Sequence, residues 1–195
     1  MLSACFSVIF TLYLECILSL ELYNNYGVDH SLLGLYFFLS SITYVVGAPF
    51  SSYLSTIINR RYVVLLAFGL MVLQSFLSGP SPLFGLSNNL TLIVIGVSMM
   101  GFNLSMTLVP LLSELIETLE GLGIYEPSQI SDMTASLFNS MFNLGNLVAP
   151  VLAGLLDDNL GYKATTDIMM VASSVYCAVF YFIMIFRKVS FRHKV

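Results

Sequence analysis

Residues 133–156 read MTASLFNSMFNLGNLVAPVLAGLL, and this stretch decides the fold. No charge interrupts it, and it is long enough for the about 20 residues that carry a helix across a bilayer. Its polar residues are not scattered. Ser136, Asn139, Asn143, Asn146 and Pro150 recur at i, i+3, i+7, i+10 and i+14, which gathers them into roughly one 60° sector of a helix. Carboxamides cannot face hydrocarbon with donors and acceptors unmet. The segment therefore reads as a membrane helix whose amide row is expected to lie in the interior, against other helices or a wet cavity.

Working outward, the rest of the chain repeats this pattern. Ser31 to Asn59, Tyr62 to Ser113 and Ile168 to Phe186 are likewise free of Asp, Glu, Lys and Arg. Of 195 residues 57% are hydrophobic and 9% charged, where soluble domains carry roughly 25% charge. Eleven acids and seven bases cannot build a water-facing surface. The fold class is an all-α integral membrane protein. Nucleic-acid binding, a secreted disulfide scaffold and soluble enzymes are excluded. Cys5, Cys16 and Cys177 lie in apolar stretches and read as buried small side chains rather than a disulfide or metal site.

Turn residues divide residues 1–195 into six spans, about 2–23, 31–58, 62–78, 90–112, 133–156 and 165–186. Gly79-Pro80-Ser81-Pro82 breaks the third. Residues 113–132 form a connection and 187–195 a basic tail. With six spans, the termini and the loops after spans two and four share a side. Arg60, Arg61, Arg187, Lys188, Arg192 and Lys194 fall on that side, and only Lys163 falls opposite. The positive-inside rule makes the shared side cytoplasmic, with a connection and tail there. Plasma membrane and vesicle membrane would give the same helices. Met1 opens almost at the first span, as in a truncated gene or a divergent half-gene. Spans two and five each carry Ala-Pro (Ala48-Pro49, Ala149-Pro150), an echo that fits two triplets of helices.

An ionisable group in hydrocarbon is a functional-site hypothesis by default. Glu15 lies mid-span, with Ser7, Thr11 and Ser19 at four-residue intervals on one slowly drifting face. A carboxyl there can exchange a proton or pair with a cation. Span four offers Gly96, Met100, Asn103, Thr107 and Pro110 in a row. Span two offers Tyr36, Ser40, Tyr44, Gly47 and Ser51. Tyrosine faces near a carboxylate can hold an organic cation, and packing is the plainer role for each tyrosine singly. No Gly-rich phosphate loop, HExxH or paired-Cys motif appears, so no cofactor, metal or enzymatic chemistry is expected. The sequon Asn89-Leu90-Thr91 sits too near a span to be expected in use.

These residues resemble a known family. The chain is similar to the C-terminal six-helix half of a major facilitator superfamily transporter, in particular the vesicular amine and polyamine branch of drug:proton antiporters. Leu14-Glu15-Cys16-Ile17-Leu18 resembles that branch's Leu-Glu-Pro-x-Leu, with Cys16 replacing proline. Leu33-Gly34-Leu35 and the step from Tyr44 to Gly47 resemble its eighth helix. Asn59-Arg60-Arg61 looks like the remnant of the superfamily's Asp-Arg-x-Gly-Arg-Arg loop, with Thr56 and Ile57 where the Asp-Arg pair stands. Gly79-Pro80-Ser81-Pro82-Leu83 resembles the polyamine-type lumenal loop. Gly145 through Ala149-Pro150, then Gly154, Asp157 and Gly161-Tyr162-Lys163-Ala164, resemble the eleventh helix and its exit.

The resemblance implies transport of a small solute, an organic cation coupled to protons, by alternating access. It implies substrate or coupling roles for Glu15, Thr11, Tyr36, Tyr44, Asn103, Asn139, Asn143 and Asn146. Acidic positions of the branch's tenth and eleventh helices are occupied here by Leu108 and Asn139, which leaves Glu15 as the matched carboxylate. Superfamily members hold substrate between two six-helix halves, so the expected partners are the lipid bilayer, the solute, and an N-terminal half or a second copy. Two other readings remain open: a non-transporting membrane protein that docks a partner through its polar helix faces, and a transporter fragment inactive alone.

Overall fold

The computed structural model describes residues 2–79, 89–123 and 126–192, with side chains through Ile185 except that of His30. Pro80-Ser81-Pro82-Leu83 and the side chains of the basic tail lie outside that range. Six α-helices follow one another: α1 Leu2–Tyr26, α2 His30–Ile57, α3 Arg60–Ser78, α4 Leu90–Glu120, α5 Pro127–Leu160 and α6 Tyr162–Arg192. Among the described residues there is no strand. Each helix holds an apolar window long enough to cross a membrane.

Helix ends follow local chemistry. Gly27 takes φ 62°, the left-handed conformation that stops α1, and the Val28 N–H returns to the Leu22 carbonyl at 3.1 Å. Asn59 caps α3 by accepting from the Arg61 N–H at 3.1 Å. Asn89 caps α4 the same way from Thr91, at 3.0 Å. Pro127 opens α5, and the Gln129 side chain accepts from the Glu126 N–H at 3.2 Å.

The expected connection over 113–132 is corrected: α4 runs on to Glu120 and α5 already begins at Pro127. No Gly or Pro interrupts Leu111 to Glu120, so nothing ends the helix where its apolar run ends. Thirty-one residues make about 46 Å at 1.5 Å each, against about 30 Å of hydrocarbon. The acidic turns of α4 therefore project beyond a bilayer.

The interior is built by close approach of small residues. α4 packs on α2 and α3, α1 on α5, and α3 on α6. Exchanging α1 with α4, α2 with α5 and α3 with α6 maps the α1–α5 contact onto the α4–α2 contact, as expected of two triplets. Gly101 meets the Ser40 carbonyl of α2, Gly96 meets Ser78 of α3, and Gly145 of α5 meets Val8 of α1. Around these lie Tyr13, Leu14, Leu18, Phe68, Met71, Ile93 and Met100, all buried. Leu35, Phe38, Val45 and Val46 of α2, Leu147 and Leu155 of α5, and Val171, Val175 and Phe182 of α6 are exposed. An apolar surface of that extent belongs in lipid.

Cys16 departs from expectation: Cys5 is buried, Cys177 is half-buried and Cys16 is exposed. At 100° per residue, Cys16 falls on the outward side of α1 with Leu20 and Tyr23.

Candidate functional site

α5 carries three distinct sides. Thr134, Gly145, Ala149 and Ala153 are buried, small enough to let α1 approach. Leu137, Leu144, Leu147, Val151 and Leu155 form an exposed apolar side. Between them run Ser136, Asn139, Asn143 and Pro150, all exposed, with Asn146 half-buried. The expected interior position of this row is therefore not found within the six helices. Small residues rather than amides make the α1–α5 contact, which leaves the carboxamides on the surface of this chain.

On α1, Glu15 is half-buried, flanked along the helix by buried Thr11 and half-buried Ser19. Thr11 Oγ1 donates to the Ser7 carbonyl at 2.9 Å, and Ser19 Oγ to the Glu15 carbonyl at 3.3 Å. Both hydroxyls are thus held by their own helix. The Glu15 carboxyl has no hydrogen bond or ion pair among the described residues. Val8, two turns before it, seats against Gly145, where an added Cβ would stand 2.7 Å from the valine. Glu15 and the amide row thus belong to the two helices packed at that point.

The other expected residues separate from this pair. Asn103 is fully buried between α4 and α3, its Nδ2 donating to Gln74 Oε1 at 2.7 Å. Thr107 is fully buried and returns its hydroxyl to the Asn103 carbonyl at 3.0 Å. That row of α4 faces packing partners, because Gly96 and Asn103 both abut α3. Of the span-two row, Ser40, Gly47 and Ser51 are buried, while Tyr36 and Tyr44 are half-buried. No hydrogen bond joins either tyrosine to Glu15 among the described residues.

At the end of the bundle where α3 starts, Asn59, Arg60 and Arg61 form a charged cluster. Arg61 Nε donates to Glu114 Oε1 at 2.8 Å, and Arg60 pairs with Glu117. Thr56, standing where the Asp-Arg motif would be, only turns back on the Tyr53 carbonyl at 2.7 Å. The arginines' partners come instead from the projecting turns of α4. Beside Arg61 lies a cavity of about 250 Å³ bounded by Ser3, Leu111, Glu114, Phe138 and Phe180. It opens at the charged end, away from Glu15 in mid-helix.

Sequence reasoning missed the partners rather than the anchors. Nothing in the sequence singles out Gln74, or Tyr13, whose hydroxyl donates to Ser75 at 3.2 Å. Tyr162 stands out only as part of the Gly161-Tyr162-Lys163-Ala164 motif, which does not reveal that its hydroxyl donates to the Ser78 carbonyl at 2.7 Å. The i, i+3 spacing of Glu114 and Glu117 places them on one face of a helix. Nothing in the sequence said that the face would meet Arg60 and Arg61.

Comparison with known proteins gives these elements a context. The family model described as Major Facilitator Superfamily matches residues 1–194. The chain is 26% identical over 185 residues to the MFS-type transporter SLC18B1 of Mus musculus, covering 92% of this chain and 39% of that protein. It is 25% identical to the Rattus norvegicus protein of the same name, covering 92% and 40%. To the Homo sapiens protein it is 25% identical over 164 residues, covering 83% and 35%. The chain thus spans about two fifths of the length of these relatives. With six apolar helices and a family match over nearly its whole length, this integral multi-pass membrane chain belongs to the Major Facilitator Superfamily.

Proposed function

We propose that the chain is the C-terminal half of a secondary active transporter for a small solute. Its carboxamide face and Glu15 form one wall of a central site, closed by an N-terminal half or a second copy. The observation that carries this reading is the exposed amide row of α5 inside an otherwise apolar membrane span. Such a row tolerates water or a protein surface and does not tolerate lipid. The relatives' name, that of a transporter of the same superfamily, supports the direction, and the share of their length that the chain spans supports a second wall.

Glu15 is the group suited to coupling. A carboxyl in mid-span, with no partner among the described residues, can take up a proton or a monovalent organic cation but not both at full strength. Tyr36 and Tyr44 offer ring faces for such a cation once the second wall is in place. The basic residues orient both termini toward the cytoplasm in this reading.

Reconstitution into proteoliposomes tests it. The chain alone, and the chain joined to an N-terminal six-helix half, are loaded with a pH dye and challenged with organic amines. Proton-linked uptake is expected only for the joined protein, and Glu15→Gln is expected to reduce it at least about tenfold, because a glutamine amide cannot take up and release the proton. Uptake that survives Glu15→Gln removes that residue from the mechanism. A joined protein that folds and moves no solute, yet holds an unrelated membrane protein on crosslinking, replaces transport with partner docking.

A further inference from the structure

Three helices converge on consecutive turns of α3. Asn103 of α4 reaches Gln74, Tyr13 of α1 reaches Ser75, and Tyr162 of α6 reaches the Ser78 carbonyl. The last two contacts leave no buried side-chain atom orphaned. The first leaves two: Gln74 Nε2 and Asn103 Oδ1 are buried without a partner, in residues 1% and 0% exposed. A direct two-bond amide pair would satisfy both atoms, but a single bond of 2.7 Å joins the side chains. The leftover groups are a donor and an acceptor. Interchanging O and N on both amides reverses the bond and again leaves one donor and one acceptor. The mismatch therefore does not depend on how the amides are assigned.

A single water satisfies a buried donor and a buried acceptor together. We propose that Gln74 and Asn103 hold an ordered water between α3 and α4, accepting from the Gln74 amide and donating to the Asn103 carbonyl. Sites with two or more polar partners are where buried waters are found. The site lies on the α3–α4 contact and is independent of the transport reading.

X-ray hydroxyl-radical footprinting of the full chain in nanodiscs tests it, because radicals form from water on the spot. Met71 and Met100 each lie three residues before the amides and are 1% and 0% exposed. Both are expected to oxidise at least about threefold faster in the unaltered chain than in the double variant Gln74→Leu/Asn103→Leu, where no amide is left to hold water. Met71 and Met100 that stay unoxidised in the unaltered chain overturn the proposal, whether or not the variant folds. Rates that persist in a folded double variant overturn it too, because the water would then be held elsewhere.

Discussion

Position 101 has room for a hydrogen and nothing larger. A Cβ there would fall on the Ser40 carbonyl and stand 2.8 Å from both the Ser40 carbonyl carbon and Thr43 Oγ1. Backbone atoms of a packed helix cannot rotate aside as a long side chain can. Gly101→Ala is therefore expected to cost about 1–3 kcal/mol, as overpacked sites do. Gly69, on α3, has nothing within 4 Å of an added Cβ, so Gly69→Ala is expected to be neutral or stabilising by up to about 1 kcal/mol through helix propensity. Unfolding midpoints in mixed micelles compare the two. Loss of stability at both positions would mean that glycine's flexibility, and not the α2–α4 contact, is what matters at 101.

Between elements, the same comparison separates buried from exposed polar contacts. Asn103→Leu leaves Gln74 buried without its amide partner and is expected to cost about 1–3 kcal/mol, while Asn103→Leu/Gln74→Leu is expected to cost less than the single change. Arg61 and Glu114 are about one-third exposed, with side-chain values of 39% and 31%, and a double-mutant cycle on them is expected to yield only about 0.2–1 kcal/mol, shrinking with salt. A coupling energy at the ion pair larger than that at the amide pair would reverse this ranking. The helices themselves were legible because lipid demands uncharged runs of fixed length, and Met133 to Leu156 meets that demand on sight. Their ends were less so. Asn59 and Gly27 announce themselves, whereas α4 outlasts its apolar run because Glu114, Glu117 and Glu120 are acceptable to a helix in water.

For the whole molecule, family membership was readable from loose motifs because their order and spacing add up, from Leu14-Glu15 to Gly161-Tyr162. The site was readable only in part. Asn139 and Asn143 were identified as polar residues on one face, but periodicity cannot say which side of a helix meets its neighbours when glycine and alanine do the packing. Asn103, equally polar and equally periodic, turned inward to Gln74, and no pattern separates the two cases without the partner helix in view. In the proposed reading the exposed row meets a surface beyond these six helices, which makes accessibility the informative measurement. In a background without Cys5, Cys16 and Cys177, Asn143→Cys and Leu144→Cys place thiols at the same depth of α5, about 100° apart around the helix. Maleimides react with thiolate, which requires water. When the chain is joined to an N-terminal half, Asn143→Cys is expected to react with a water-soluble maleimide and to be shielded by bound solute, while Leu144→Cys stays unreactive in lipid. Equal silence at both positions would place the amide row against a dry protein surface, and the row would then hold two halves together rather than line a path between them.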